Sequence, residues 1–547
     1  MYQNIYKIHS VISIFFVLMI FSLSCEKVGD QEQISIEKNS TNDGMMILGN
    51  KIPNAYTVEN MTQAYQNLIQ ASKKGVIDLD IPLMPTHYYI RFLPRTEYEL
   101  YQLQKDTTLI LFDFPMDFEI VGNGTYYHDP SLPDTAITWQ YCTVEANFNF
   151  PDIEYELLEE LFLPGTNNDQ TRLKVAGEWT FWDELEREAL RIKGLLNENE
   201  LKSVSGTKFK PSGEIKIYDN SGLGTFGLEG VEVIATRGFT SKSEVTDSAG
   251  KFLIDHEFGG PVTYKIKWER DDYDIRSGTY GQAYFNGPEQ EEAWNHTFSV
   301  RDISWCYAHI HRAAYNYYYN NAEYGIQSPP RQGGILNQRL HIGAMDKDGT
   351  SHYYDFNSFI FAAQVKIYCK YASGTYRSSV NLFGTTTHEL AHALHWDLGY
   401  STAQYLVDLI FSNAVMPESW AECVEHVITS DAYKRSTISA YRNWNNNQDI
   451  TLSDPTRYTA LFIDLIDNYN QQNYKGSLYP VDNVVGYSLS QLEYVLDKTY
   501  IDLSNYGLST LEPIWETFAP SIYRSKLKST YNNATEQYID ELFENYF

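Results

Sequence analysis

The stretch Thr385–Asp397, TTTHELAHALHWD, constrains this chain more than any other, because His388 and His392 stand four residues apart with Glu389 directly after the first. On an α-helix, positions i and i+4 lie about 40° apart around the axis, so both imidazoles leave one face and can share a small cation. Neutral imidazole suits Zn²⁺, and three protein ligands would leave a fourth position for a water whose pKa the metal lowers to about 7. Glu389, next to the first histidine, is placed to serve as general base, the arrangement expected of a metallopeptidase. A simpler reading competes: Thr386 and Glu389 are spaced as a capping box, in which Glu389 only closes a helix start.

A third ligand would decide between these. An extended motif would need glycine at 395 and histidine at 398, whereas the chain has His395 and Leu398. The segment Pro417–Ile428, PESWAECVEHVI, offers a glutamate instead. Pro417 suits a first helical turn, Trp420, Val424 and Val427 form an apolar stripe, and Glu418, Glu422 and Glu425 lie on the other side. His395 returns to nearly the face of His388 and reads as a packed neighbour, and Gly399 reads as the helix stop.

These residues, from about Gln364 to Thr429, resemble the gluzincins, the thermolysin-like zinc metallopeptidases. The resemblance implies Glu418 as third zinc ligand and Glu422 as the carboxylate behind a zinc histidine, with Glu422 the alternative ligand. It also implies that the strand-like AAQVKIYCKY is the substrate-binding sheet edge. A mostly helical lobe should follow the third ligand and supply an oxyanion donor, for which Tyr487, after Gly486, is the candidate.

Residues 1–24 carry one charge, Lys7, ahead of the apolar run VISIFFVLMIFSL, which is short for a spanning helix and reads as a signal peptide. The ending SLSC resembles the looser lipoboxes of Bacteroidota lipoproteins, which implies a lipid anchor on Cys25 and export to the outer membrane or cell surface. Cys142, Cys306, Cys369 and Cys423 lack metal-type spacing and read as buried thiols. With a net charge of −29 and no basic cluster, nucleic acid is excluded as a partner.

The 547 residues read as a multidomain α+β protein. After the signal peptide, residues 25–50 form a polar tether and 51–205 an N-terminal α/β unit containing a β-α-β pattern over 87–121. Residues 206–300 alternate in short strands with Gly and Asp turns, a small β-sandwich that resembles the carboxypeptidase regulatory-like, transthyretin-like domain, with Gly230 and Gly250 at turns. Residues 301–547 form a zincin-like, mostly helical metallopeptidase domain, in which the close pair His309 and His311 faces different ways and makes a poor metal site. The isolated His87 and His128 read as structural. The functional expectation is zinc-dependent hydrolysis of peptide bonds in proteins or glycoproteins at a bacterial envelope. The alternative is a catalytically silent envelope lipoprotein that binds protein or glycan.

Overall fold

The computed structural model describes residues 44–71, 83–122, 124–164, 181–196, 208–331, 338–354, 362–398, 415–442, 448–452, 458–499 and 520–547. The expected signal peptide, Cys25 and Gly399 lie outside these. Among the described residues no helix is long and apolar enough to cross a membrane. The fold is mixed α+β with several sheets.

The N-terminal part contains β1 (Leu48–Lys51), α1 (Val58–Ala71), β2 (His87–Phe92), α2 (Glu97–Lys105), β3 (Phe118–Ile120), β4 (Gln140–Glu145), β5 (Tyr155–Leu161) and α3 (Phe181–Ile192). Two readings are corrected here. Residues 46–50, read as part of a tether, belong to the fold, because Met46 is buried and β1 pairs with β3. The β-α-β pattern is absent: β2 is the centre of an antiparallel β4-β2-β5 sheet, and β3 belongs elsewhere. Leu111 to Pro115 are all buried in succession, which is not the alternation of a strand, and Pro115 has no N–H for a ladder.

The sandwich follows with β6 (Ser212–Asp219), β7 (Gly224–Gly227), β8 (Glu232–Arg237), β9 (Thr240–Val245), β10 (Lys251–Leu253), β11 (Val262–Lys267), β12 (Tyr273–Ser277), β13 (Gly281–Gln282), β14 (Tyr284–Gln290) and β15 (Trp294–Phe298). One sheet runs β10-β6-β15 with β7 on β6, and the other β14-β11-β8-β9. Gly230 and Gly250 sit at positive φ, as turns require. The division at residue 300 is crossed by a sheet, however. β12 and β13 leave the sandwich, and β12 pairs in parallel with β16 (Leu340–Asp348).

That second sheet has the order β13-β12-β16-β18-β17, with β17 at His352–Tyr353 and β18 at Val365–Lys370. β18 alternates as read, with Val365, Ile367 and Cys369 turned inward. It is not the edge. β17 lies outside it, and the turn after it returns so that Arg377 N–H donates to the Cys369 carbonyl. Alternation reports which face is buried but says nothing about lateral neighbours.

The helices are α4 (Ile303–Tyr319), α5 (Ser379–Asp397), α6 (Val415–Tyr433), α7 (Ser439–Arg442), α8 (Leu461–Asp464), α9 (Gln471–Lys475), α10 (Leu489–Thr499), α11 (Pro520–Thr530) and α12 (Ile539–Tyr546). One hydrophobic core runs from Ile215 of the sandwich through α4, α5 and α6 to Phe543 of α12. The sandwich therefore shares its core with the helices that carry the histidines. The four described cysteines are buried free thiols.

Candidate metal centre

α5 starts where the Ser378 hydroxyl accepts from Asn381 N–H, well before Thr386. Glu389 is thus a mid-helix residue, and Thr386 donates back to the Leu382 carbonyl, so the capping-box reading fails. Of the 19 residues of α5, 16 are buried, so it is a central helix without a solvent face to which a chance histidine pair could be assigned. α6 is its partner. Pro417 lies in the first turn, and Glu418, Glu422 and Glu425 share one face by their i, i+4, i+7 spacing. That face meets α5 instead of solvent, with Glu422 and Glu425 buried.

The structure brings His388, His392 and Glu418 together. His388 Nε2 and His392 Nε2 are 3.2 Å apart, and each is 3.6 Å from Glu418 Oε2. A tetrahedral zinc with bonds of about 2.0–2.2 Å sets its ligand atoms roughly 3.3–3.6 Å apart, so the triangle fits the ion. The other ring nitrogen of His388 strengthens this. Nδ1 faces Glu425 Oε2 at 3.3 Å and Glu422 Oε1 at 3.7 Å. Carboxylates only accept, so the ring proton belongs on Nδ1, and Nε2 presents its lone pair to the triangle. Burial opposes ionisation of Glu418, yet His392 and His388, when protonated on the nitrogens that face it, hold its carboxyl well below the usual carboxylate range. Two imidazole nitrogens and an ionised carboxylate are the donors zinc takes, and three protein ligands leave one position open.

Glu389 is also buried, one residue from His388 and three from His392. His395 is fully buried near His392 and Glu418, and burial pushes its pKa down to about 3, so it packs as a neutral ring. Tyr487 is not brought to this group. It is buried in the core with its ring edge toward Tyr531, and its backbone N–H donates to the Leu465 carbonyl. His309 and His311 are structural: His311 Nε2 meets the Glu229 carbonyl at 2.9 Å, and His309 Nε2 lies 3.4 Å from the Tyr218 carbonyl. His87 contacts Thr86, and His128 bonds two local carbonyls.

The protein families, curated proteins and solved structures compared with this chain include no match to it. The reading of the site therefore rests on its own geometry.

The sequence reading missed two residues. Glu425, nearer His388 than Glu422 is, was legible as the third member of the i, i+4, i+7 face. Gly384 had no such signal; a Cβ there would lie 2.5 Å from Glu425 Oε1.

Proposed function

We propose that the chain is a zinc-dependent metallopeptidase that hydrolyses peptide bonds of protein or glycoprotein substrates. The observation that carries this reading is the triangle of His388 Nε2, His392 Nε2 and Glu418 Oε2 with Glu389 beside it on α5. When bound there, zinc supplies a Lewis acid that polarises the scissile carbonyl and makes water acidic enough to deprotonate near neutral pH.

The chain's own residues do the rest. His388 and His392 would hold the ion from one helix and Glu418 from the next, so the packing of α5 on α6 sets the donor spacing. The Glu389 carboxylate takes a proton from the attacking water and returns it to the leaving amine as the C–N bond breaks. The carboxylate nearest Nδ1, that of Glu425, keeps the His388 proton on that nitrogen. Export as a lipoprotein anchored through Cys25 is part of the same proposal and rests on residues 1–25 alone.

Glu389→Gln tests the mechanism. It should retain zinc, since Glu389 is not among the donor atoms, and should lose about 10²–10⁴-fold in turnover of a peptide library. Cleavage at the wild-type rate would remove Glu389 from the chemistry. Zinc binding with no turnover by the wild-type protein on any denatured protein or glycoprotein would leave the silent binding protein as the reading.

A further inference from the structure

We infer that Glu425, and not Glu422 at the family spacing, is the positioning residue that fixes the His388 ring, and that Gly384 exists to leave it room. This rests on the zinc reading above.

Two carboxylates face His388 Nδ1, and Glu425 Oε2, at 3.3 Å, is the nearer; Glu422 Oε1 is 3.7 Å away. Glu425 is also the more deeply placed, with no exposed surface against 3% for Glu422. A carboxylate with no solvent surface attracts the ring N–H strongly at this ion-pair distance, because no water competes for it.

Gly384 lies four residues before His388 on α5, one turn away on the same face. A Cβ at 384 would meet Glu425 Oε1 at 2.5 Å and Cδ at 3.2 Å, closer than packed atoms approach. Glycine in a helix interior costs about 1 kcal/mol relative to alanine, so a mid-helix glycine needs a packing reason. The Glu425 carboxylate supplies one: α5 is hollowed by one methyl group where the carboxylate must sit to reach Nδ1.

The test is zinc affinity, read by competition with a chromogenic zinc chelator on the purified protein, with melting of the metal-free forms as a check on folding. Glu425→Ala should weaken zinc binding about 10–100-fold, the usual cost of losing a carboxylate behind a metal histidine. Glu425→Gln keeps an acceptor oxygen and should recover part of that loss, while Glu422→Ala should stay within about threefold. Gly384→Ala should fall in the range of Glu425→Ala, and adding it to Glu425→Ala should cost zinc affinity nothing more, because no carboxylate is left to displace. The inference is overturned if Glu422→Ala carries the larger loss, if the Gly384 and Glu425 effects add in full, or if Glu425→Ala shifts the metal-free melting temperature and leaves zinc affinity alone. Failure of the wild-type protein to bind zinc would instead overturn the metal reading itself, and this inference with it.

Discussion

Tyr487 shows where reasoning from single residues stops. Its hydroxyl makes no hydrogen bond among the described residues, and burial, with Glu536 nearby, pushes its pKa up to about 12. Among the described residues its ring partner is Tyr531. Tyr487→Phe should therefore leave kcat within about twofold of wild type and stability unchanged or improved, since it removes a desolvated hydroxyl with no compensating bond. A fall of about 10²-fold with zinc content intact would restore the oxyanion role implied by the family resemblance. His388, Glu389 and His392 were legible because helical spacing is a local rule, fixed once α5 is a helix. Tyr487 follows a glycine at positive φ, as the sequence suggested, but where that turn delivers its ring depends on α11, over thirty residues later.

At the level of elements, sequence patterns located the helices and misjudged their surroundings. The expected apolar stripe of α6 was Trp420, Val424 and Val427; in the structure Ile428 is buried and Val427 only partly, and the helix is enclosed on the glutamate side too. The glutamate side of α6 packs on α5, and a further set of contacts distant in sequence ties the sandwich to α4 and α6. The Arg312 guanidinium of α4 lies within about 5 Å of the rings of Phe226, Phe383 and Tyr433. It pairs with Asp219 Oδ2 of β6 at 3.0 Å, and the Tyr433 hydroxyl donates to the same oxygen at 2.7 Å. Asp219→Ala should destabilise the protein by about 3–5 kcal/mol, because Arg312 would keep its charge in an aromatic enclosure with no counter-charge. Urea denaturation monitored by tryptophan fluorescence measures this, and a loss below about 1 kcal/mol would mean that solvent reaches Arg312 well enough to replace the aspartate.

Across the whole molecule, two separate groups of buried ionisable side chains bear on how stability depends on pH. In one, His341 of β16 joins Asp274 of β12 at 2.8 Å and Glu97 of α2 at 3.1 Å, tying the N-terminal part to the sheet beside α5. No local pattern announces a contact that spans 244 residues. Burial works against the Asp274 charge, but His341 and Arg276 hold its carboxyl well below the usual value, so its contribution is present above about pH 4 and is lost in stronger acid. In the other, Asp464, Asp467 and Asp482 make no ion pair with lysine or arginine among the described residues. Asp464 accepts from Gln471 and Tyr546, Asp467 from Gln448, and Asp482 from the Val484 N–H. Burial first, and then mutual repulsion, raise Asp464 to about 8 and Asp482 to about 9. For these two the sign reverses. The unfolded carboxyls ionise near pH 4 while the folded ones keep their protons, so the unfolded chain releases protons first and stability falls as pH rises from about 4 to 9. Above pH 4 the two effects do not offset each other, because the Asp274 contribution is already complete. The melting temperature should therefore decline steadily from pH 5 to pH 9. Asp482→Asn, which keeps an acceptor for Val484 and cannot ionise, should flatten that decline and raise the pH 8 melting temperature by about 1 °C per kcal/mol relieved. A wild-type melting temperature that holds or rises between pH 5 and pH 9, or a decline of unchanged slope in Asp482→Asn, would show that the folded protein carries these aspartates ionised.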